Sequence, residues 1–234
     1  LRRARMHLDA GLTGFEVMGA SALQLQARHF PLLRNPLPAS PWTVLLELAA
    51  GDATEASQRL IALMEEAEGL GLASDAVVAG NLAQAHALWE LRESIPLAQA
   101  REGLNIKHDV ALPVSAIPDF LRHMDTSLDA LVPGVRMVVF GHLGDGNLHF
   151  NVQAPEGMPA AEFLHQHETA LNQTVYDAVL ARGGTFSAEH GIGALKVDEL
   201  AKRKSPVALG MMRAIKQALD PQGLLNPGRV LPPP

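Results

Sequence analysis

The stretch Val135–Pro155, VRMVVFGHLGDGNLHFNVQAP, decides the fold. Arg136 to His142 is a run rich in β-branched and apolar residues, and Leu148 to Val152 is a second run that alternates in type. Between them lies Leu143-Gly144-Asp145-Gly146-Asn147, a cluster of turn formers. Two strand-like runs around such a cluster read as a β-hairpin. Successive strand side chains point to opposite faces, so His149 and Asn151 share one face and Phe150 and Val152 the other. The apolar pair is expected to face a core. His142 ends the opposite strand and sits across from His149, so two imidazoles converge, which begins a metal site. Asp145, at the tip, reads as a turn residue rather than a ligand.

A single strand histidine is most often a hydrogen-bonded side chain. What shifts the reading is Glu189-His190, set between small residues after another strand-like run, Gly184 to Ser187. Glu189 supplies a third, carboxylate donor. His, His and Glu around an open position is catalytic-metal chemistry rather than a closed structural site. The candidate ligands are therefore His142, His149 and Glu189. His190 is the candidate general base, since an imidazole titrates near the operating pH; the competing roles are a further metal ligand or a loop hydrogen bond. Gly191 and Gly193 in HGIG lack the third glycine and the βαβ context of a dinucleotide fingerprint, and are expected to permit close backbone approach. His165, His167 and Glu168 fall on a helix where positions i and i+2 point apart, and read as a solvated face.

Working outward, the order of elements matters more than their limits. Leu1–Ala10 reads as a helix, Leu12–Met18 as a strand, Ser21–Arg28 as a short helix and Trp42–Leu48 as a strand. Asp52 or Thr54 caps a helix ended by Gly69 and Gly71. Asp75–Val78 reads as a short strand, Leu82–Leu97 as a helix, Asn105–Leu112 as a strand, and Pro118–Leu131 as a helix capped by Ser115. After the hairpin come a helix over 160–181, a strand over 185–187, and two helical segments over 194–202 and 206–218. From Asn105 onward the order is β-α-β-β-α-β, the ferredoxin-like unit. The earlier part reads α-β-β-α-β, the same pattern without its first strand. The expected class is α+β: two ferredoxin-like subdomains with antiparallel sheets, over 1–80 and 81–234, the first lacking its initial strand, plus C-terminal helices. The chain is expected to begin one strand late. In such a unit helices cover one sheet face, and hairpin parity puts His149 and Asn151 on the free one.

Composition narrows the function. The 234 residues are 47% hydrophobic and 19% charged, ordinary for a globular protein with a substantial core. Net charge is −6 with no basic block, which argues against nucleic acid. No apolar run reaches the ~18 residues of a membrane span. The absence of cysteine excludes disulfides and thiolate ligands, leaving His and carboxylates for any metal.

Three motifs in order, GHLGDGNLHFNV, SAEHGIGALK and the terminal LDPQGLLNPGRV, resemble the C-terminal half of the FAD-linked oxidases. These flavoenzymes oxidise D-2-hydroxy acids such as D-lactate, glycolate and D-2-hydroxyglutarate. The resemblance runs from Leu12 to the C-terminus. It implies two ferredoxin-like subdomains following an N-terminal flavin-binding domain that this chain does not contain, with FAD held mainly by that domain. It implies a divalent ion of zinc type on His142, His149 and Glu189, acting as a Lewis acid on the substrate. It raises Arg92, in LWELRESI, and Lys107, in NIKHDVALP, as anchors for the substrate carboxylate. On its own Arg92 would read as a surface arginine paired with Glu90 or Glu93. Asn151 is a candidate donor to the substrate carboxylate or an orienter of a ligand, and Asn226, in LLNPG, a candidate for reaching the flavin. One departure stands out: Pro96 occupies a place that holds a hydroxyl residue in the D-2-hydroxyglutarate enzymes. The expected partners are a small 2-hydroxy acid and an electron acceptor, with a homodimer left open. The expected setting is a bacterial cytoplasm or the periphery of the inner membrane. The rival functions are a metal-dependent hydrolase and a non-catalytic, metal-stabilised binding domain.

Overall fold

The computed structural model describes residues 1–232. The chain runs α1 (Arg2–Leu8), β1 (Leu12–Gly19), α2 (Ala20–His29), β2 (Trp42–Leu48), α3 (Ala53–Gly69), α4 (Leu82–Glu102), β3 (Asp109–Ala111), α5 (Ile117–Leu131), β4 (Arg136–His142), β5 (Asn147–Gln153), α6 (Ala160–Leu180), α7 (Val197–Arg203) and α8 (Pro206–Leu219). It divides into a large unit, Leu1–Phe186, and a smaller one from Ser187 onward.

In the large unit the strands form one five-stranded sheet in the order β2-β1-β4-β5-β3, every pairing antiparallel. The α+β class with an antiparallel sheet is as expected. The strands of both halves of the sequence join in one sheet because β1 pairs with β4 as well as with β2. The β4–β5 hairpin is its centre. Its turn is closed by Asp145 N–H to His142 O at 3.1 Å and Gly146 N–H to Leu143 O at 3.2 Å, so Asp145 is the turn residue the sequence indicates. Gly146 has φ +77°, and a side chain there would meet the Leu112 carbonyl at 2.1 Å, so only glycine fits the tip.

Alternation divides the hairpin between two cores. Val139 and Phe150 are opposite one another in register and face α5 and α6. Phe120 meets Phe150 edge to face at 5.3 Å, with Phe163, Leu171, Val175 and Val179 fully buried around them. Val138 and Phe140 point the other way, into a cluster with Met18, Ala22, Leu25, Ile95 and Ala98 of β1, α2 and α4. A third cluster, Ala4, Leu8, Phe15 and Leu63, joins α1 and α3 to the outer strands.

Several local readings change. His149 and Asn151 do not face a helix-free side: α4 lies over them, and Asn151 Nδ2 donates to Gln99 Oε1 at 2.7 Å. Helix α4 continues past Leu97 to Glu102, carrying Pro96 in its interior. At its start Asn81 is the N-cap, its Oδ1 accepting from Gln84 N, while Gln84 Oε1 reaches back to accept from Gly80 N. Asp75–Val78 is not a strand, and Thr185 contributes only a single bridge to Ala111. Ser115 is not a cap, since α5 begins after Ala116 with no side-chain cap. The strand expected over 105–112 is regular only at Asp109–Ala111, preceded by a bridge between Ile106 and Val152.

Candidate active site

The polar face of the hairpin is built by strand register. Glu16 of β1 lies opposite His142, and Met18 opposite Phe140. Phe140 lies opposite His149, and His149 opposite Asp109 of β3. Two neighbouring rows on one face therefore carry the polar side chains, Glu16 and His142 in one and His149 and Asp109 in the next. Gly141, between Phe140 and His142, has φ +156°, and a Cβ there would stand 2.5 Å from the Asn147 carbonyl. Glycine lets the end of β4 close onto β5 beside the two histidines.

The anchor of this face is Glu16, 3% exposed. Its Oε2 accepts from Arg92 Nε at 2.9 Å and lies 2.9 Å from Arg92 Nη2. Its Oε1 lies 2.7 Å from His142 Nδ1. An ionised carboxylate only accepts, so in this contact His142 Nδ1 is the donor. This is the carboxylate–histidine arrangement that orients metal-binding imidazoles. The Arg92 guanidinium also lies over the Phe140 ring, 4.8 Å from its centroid. Charges this deeply buried require their partners: removing one side of such a pair leaves an uncompensated charge in a low dielectric.

His142 and His149 are brought together, their rings edge to face with centroids 5.6 Å apart. His149 also packs against Phe140 at 4.9 Å, and its Nδ1 stands 3.8 Å from Asp109 Oδ1, an ion-pair rather than a hydrogen-bond distance. The His142 side chain is about one-third exposed, and that of His149 less than half as accessible. Arg92 is buried and paired with Glu16, not a surface residue paired with Glu90 or Glu93. Asn151 is buried with both ends of its amide engaged: Nδ2 on Gln99 and Oδ1 accepting from His108 N at 3.3 Å. It fastens α4 to the sheet. Lys107 is exposed, two positions before Asp109 and so on the same face.

Glu189, His190 and Asn226 belong to the smaller unit. Glu189 and His190 are exposed, in a loop where Ser187 Oγ donates to the Gly191 carbonyl at 2.6 Å. Gly191 and Gly193 have φ +69° and +56°, and a Cβ at either would meet nothing within 4 Å. A left-handed backbone, not close approach, is what requires glycine there. Asn226 is exposed with φ +46°, in a terminal turn organised by Asp220, whose carboxylate accepts from Leu224 N and Leu225 N at 2.9 Å each.

Two residues of this face escaped the sequence reading as site members, Glu16 and Asp109. The signal for Glu16 was a single acid inside an otherwise apolar strand, LTGFEVMG.

Comparison with known proteins gives the family. The family model for FAD linked oxidases, C-terminal domain, matches residues 1–230. The chain is 37% identical over 232 residues to the mitochondrial D-2-hydroxyglutarate dehydrogenase of Rattus norvegicus, covering 99% of this chain and 42% of that protein. It is 35% identical over 224 residues to the D-2-hydroxyglutarate dehydrogenase of Stutzerimonas stutzeri, covering 94% of this chain and 47% of that one. It thus spans less than half the length of these relatives. Among solved structures, 4-ethylphenol oxidase from Gulosibacter chungangensis in its isoeugenol complex superposes with a TM-score of 0.55 at 14% identity, over 93% of this chain and 47% of that chain, a likeness of fold. No helix among the described residues is long and apolar enough to cross a membrane. With its one antiparallel sheet and a family model matched almost end to end, this chain belongs to the FAD linked oxidases as their C-terminal domain.

Proposed function

We propose that this chain is the substrate-side portion of an FAD-dependent dehydrogenase that oxidises a D-2-hydroxy acid to the 2-oxo acid. The observation that carries the reading is the family match over residues 1–230, together with relatives named for D-2-hydroxyglutarate. FAD, bound mainly outside this chain, would accept the C2 hydride. His142, His149 and Glu189 would hold a divalent ion of zinc type, which supplies Lewis-acid polarisation of the substrate oxygens. What supports this is the pair of histidines: they lie on one face with ring centroids 5.6 Å apart, and the Glu16 contact at His142 Nδ1 orients that imidazole.

The remaining roles fall to this chain's own side chains. His190 takes the hydroxyl proton as the C2 hydride departs, so the substrate loses both hydrogens and becomes a ketone. Lys107, exposed on the site face, attracts the substrate carboxylate. Arg92 spends Nε and Nη2 on Glu16, so only its Nη1 edge is left for substrate, and its larger role is to hold Glu16 in place. Asn151 keeps α4 seated over the hairpin rather than touching substrate. Asn226 is assigned to the flavin side.

Two measurements test this. Metal analysis of the purified chain should find about one divalent ion per molecule, lost in His149→Ala. A full-length protein carrying this chain behind its flavin domain should have its flavin bleached anaerobically by D-lactate or D-2-hydroxyglutarate. Flavin that stays oxidised with every D-2-hydroxy acid would contradict the reading, and esterase or amidase turnover by the chain alone would favour a metal hydrolase instead.

A further inference from the structure

The last turn of α4 is pinned to the sheet at two places. At one, Gln99 Oε1 accepts from Asn151 Nδ2 at 2.7 Å; at the other, Glu102 Oε1 accepts from Arg136 Nη1 at 3.1 Å. Gln153 is the sheet residue between these pins. It follows Asn151 on the same face of β5 and lies across from Arg136 of β4. On the other side of β5 the antiparallel Ile106–Val152 bridge sets Asn105 across from Gln153. Gln99 and Gln153 are 1% and 3% exposed. Three atoms here, Gln99 Nε2, Gln153 Nε2 and Asn105 Oδ1, are buried without a hydrogen-bond partner among the described residues. Buried polar atoms are ordinarily paired with protein or ordered water.

The surrounding network fixes which end of two of these amides is on offer. A backbone N–H can only donate, so the contact from His108 N at 3.3 Å makes the Asn151 oxygen an acceptor and its Nδ2 a donor. Gln99 must then turn its oxygen to Asn151, which leaves Nε2 as a donor. Asn105 Nδ2 donates to the Gly103 carbonyl at 3.1 Å, which leaves Oδ1 as an acceptor. Gly103 is the C-cap of α4, and its N–H donates to the Gln99 carbonyl at 3.3 Å. Asn105 is thereby tied to the same turn that carries Gln99. Two donors and one acceptor converge between the last turn of α4 and the sheet.

We propose that these three atoms hold one internal water, which accepts from Gln99 Nε2 and Gln153 Nε2 and donates to Asn105 Oδ1. The chemistry selects water over other small ligands. It offers lone pairs and protons together, and buried waters typically make about three hydrogen bonds. A cation would face two N–H donors, and an anion would face the Asn105 oxygen. The water is then a third pin for α4, set between the Asn151–Gln99 and Arg136–Glu102 contacts. It completes the polar seat of the helix that also carries Arg92. None of this depends on the activity proposed above.

Magnetic relaxation dispersion of water deuterons, which counts long-lived internal waters, tests it together with a high-resolution crystal structure of the full-length protein. Gln153→Leu removes one donor and fills its space with methyl groups, and the count should fall by about one. Gln166→Leu, on the exposed face of α6, should leave the count unchanged. The crystal structure of the unaltered protein should show a density peak within hydrogen-bond distance of Gln99 Nε2, Gln153 Nε2 and Asn105 Oδ1. That peak decides the matter even if Gln153→Leu fails to fold. Density lacking any peak between the three atoms, or equal counts in Gln153→Leu and the unaltered protein, would overturn the proposal. So would an anomalous bromide signal at that position in crystals soaked in bromide, which would make the occupant an anion.

Discussion

The two faces of the β4–β5 hairpin share a backbone and each packs an apolar cluster, but only one of them also carries charge. Toward α5 and α6 the side chains are hydrocarbon: Val139, Phe150 and Val152 meet Phe120 and the buried face of α6. Toward α4 the same strands carry His142, His149 and Asn151, which meet Glu16, Arg92 and Gln99. Burial is comparable on both faces at Phe150 and Asn151, so exposure does not separate them. The difference is directionality. Apolar burial tolerates small shifts, whereas the polar face works only if each donor meets its acceptor. Both faces contribute apolar burial, and the one beneath α4 adds the polar network that holds two imidazoles near one another.

Substitutions can break this contrast from either side. Phe150→Ala should destabilise the protein by about 3–5 kcal/mol, read from denaturant midpoints, because Phe150 is fully buried. Arg92→Met should cost a similar amount, about 3–5 kcal/mol, for a different reason: it leaves Glu16 buried without its cation. The distinction is checkable, since Glu16→Leu combined with Arg92→Met should recover most of the lost stability. Recovery of stability in that double variant should come with weaker binding of the proposed divalent ion, because His142 Nδ1 would have lost its carboxylate partner. Asn151→Ala should destabilise by about 1–3 kcal/mol, through the unsatisfied Gln99 amide and His108 N–H it leaves behind.

Smaller effects sharpen the comparison. Pro96 lies one turn beyond Arg92 on α4 and offers neither an N–H nor a hydroxyl. In the full-length enzyme Pro96→Thr should raise kcat/KM for D-2-hydroxyglutarate relative to D-lactate by up to about tenfold, the worth of one added hydrogen bond. The far end of α4 gives a pH signature unrelated to the site. Burial alone would raise the pKa of Glu102, but hydrogen bonds from His29 and Arg136 and the charge of Arg28 outweigh it, holding the carboxyl below its ordinary 4.5. With the folded value depressed, its contribution to stability is complete above 4.5 and disappears as pH falls through the folded value. Glu102→Gln should flatten that part of the stability–pH curve, measured by urea midpoints from about pH 6 down to about pH 3.

Much of this was legible in the residues. The hairpin announces itself through two alternating runs around a glycine-rich turn, and parity puts His142 and His149 on one face, although the register sets Phe140 rather than His142 across from His149. Glu16 was not legible as a site residue, because an acid in a strand ordinarily faces solvent. What buries it is Arg92, 76 positions away on a helix whose placement over the sheet no local pattern states. The same helix hid its own length, since Pro96 reads as a terminator while the packing of Ile95, Ala98 and Gln99 carries α4 through it. The strand expected at Asp75–Val78 failed for the opposite reason. Its composition is right, but a strand needs a neighbour to bond with, and no strand among the described residues pairs with it.

The division of labour across the hairpin is tested most directly by anaerobic flavin reduction in the full-length protein carrying His149→Ala. The expected result is that D-2-hydroxy acid bleaches the flavin at least about 100-fold more slowly than in the unaltered enzyme, with the denaturation midpoint little changed. A His149→Ala protein that reduces its flavin at the original rate would contradict it.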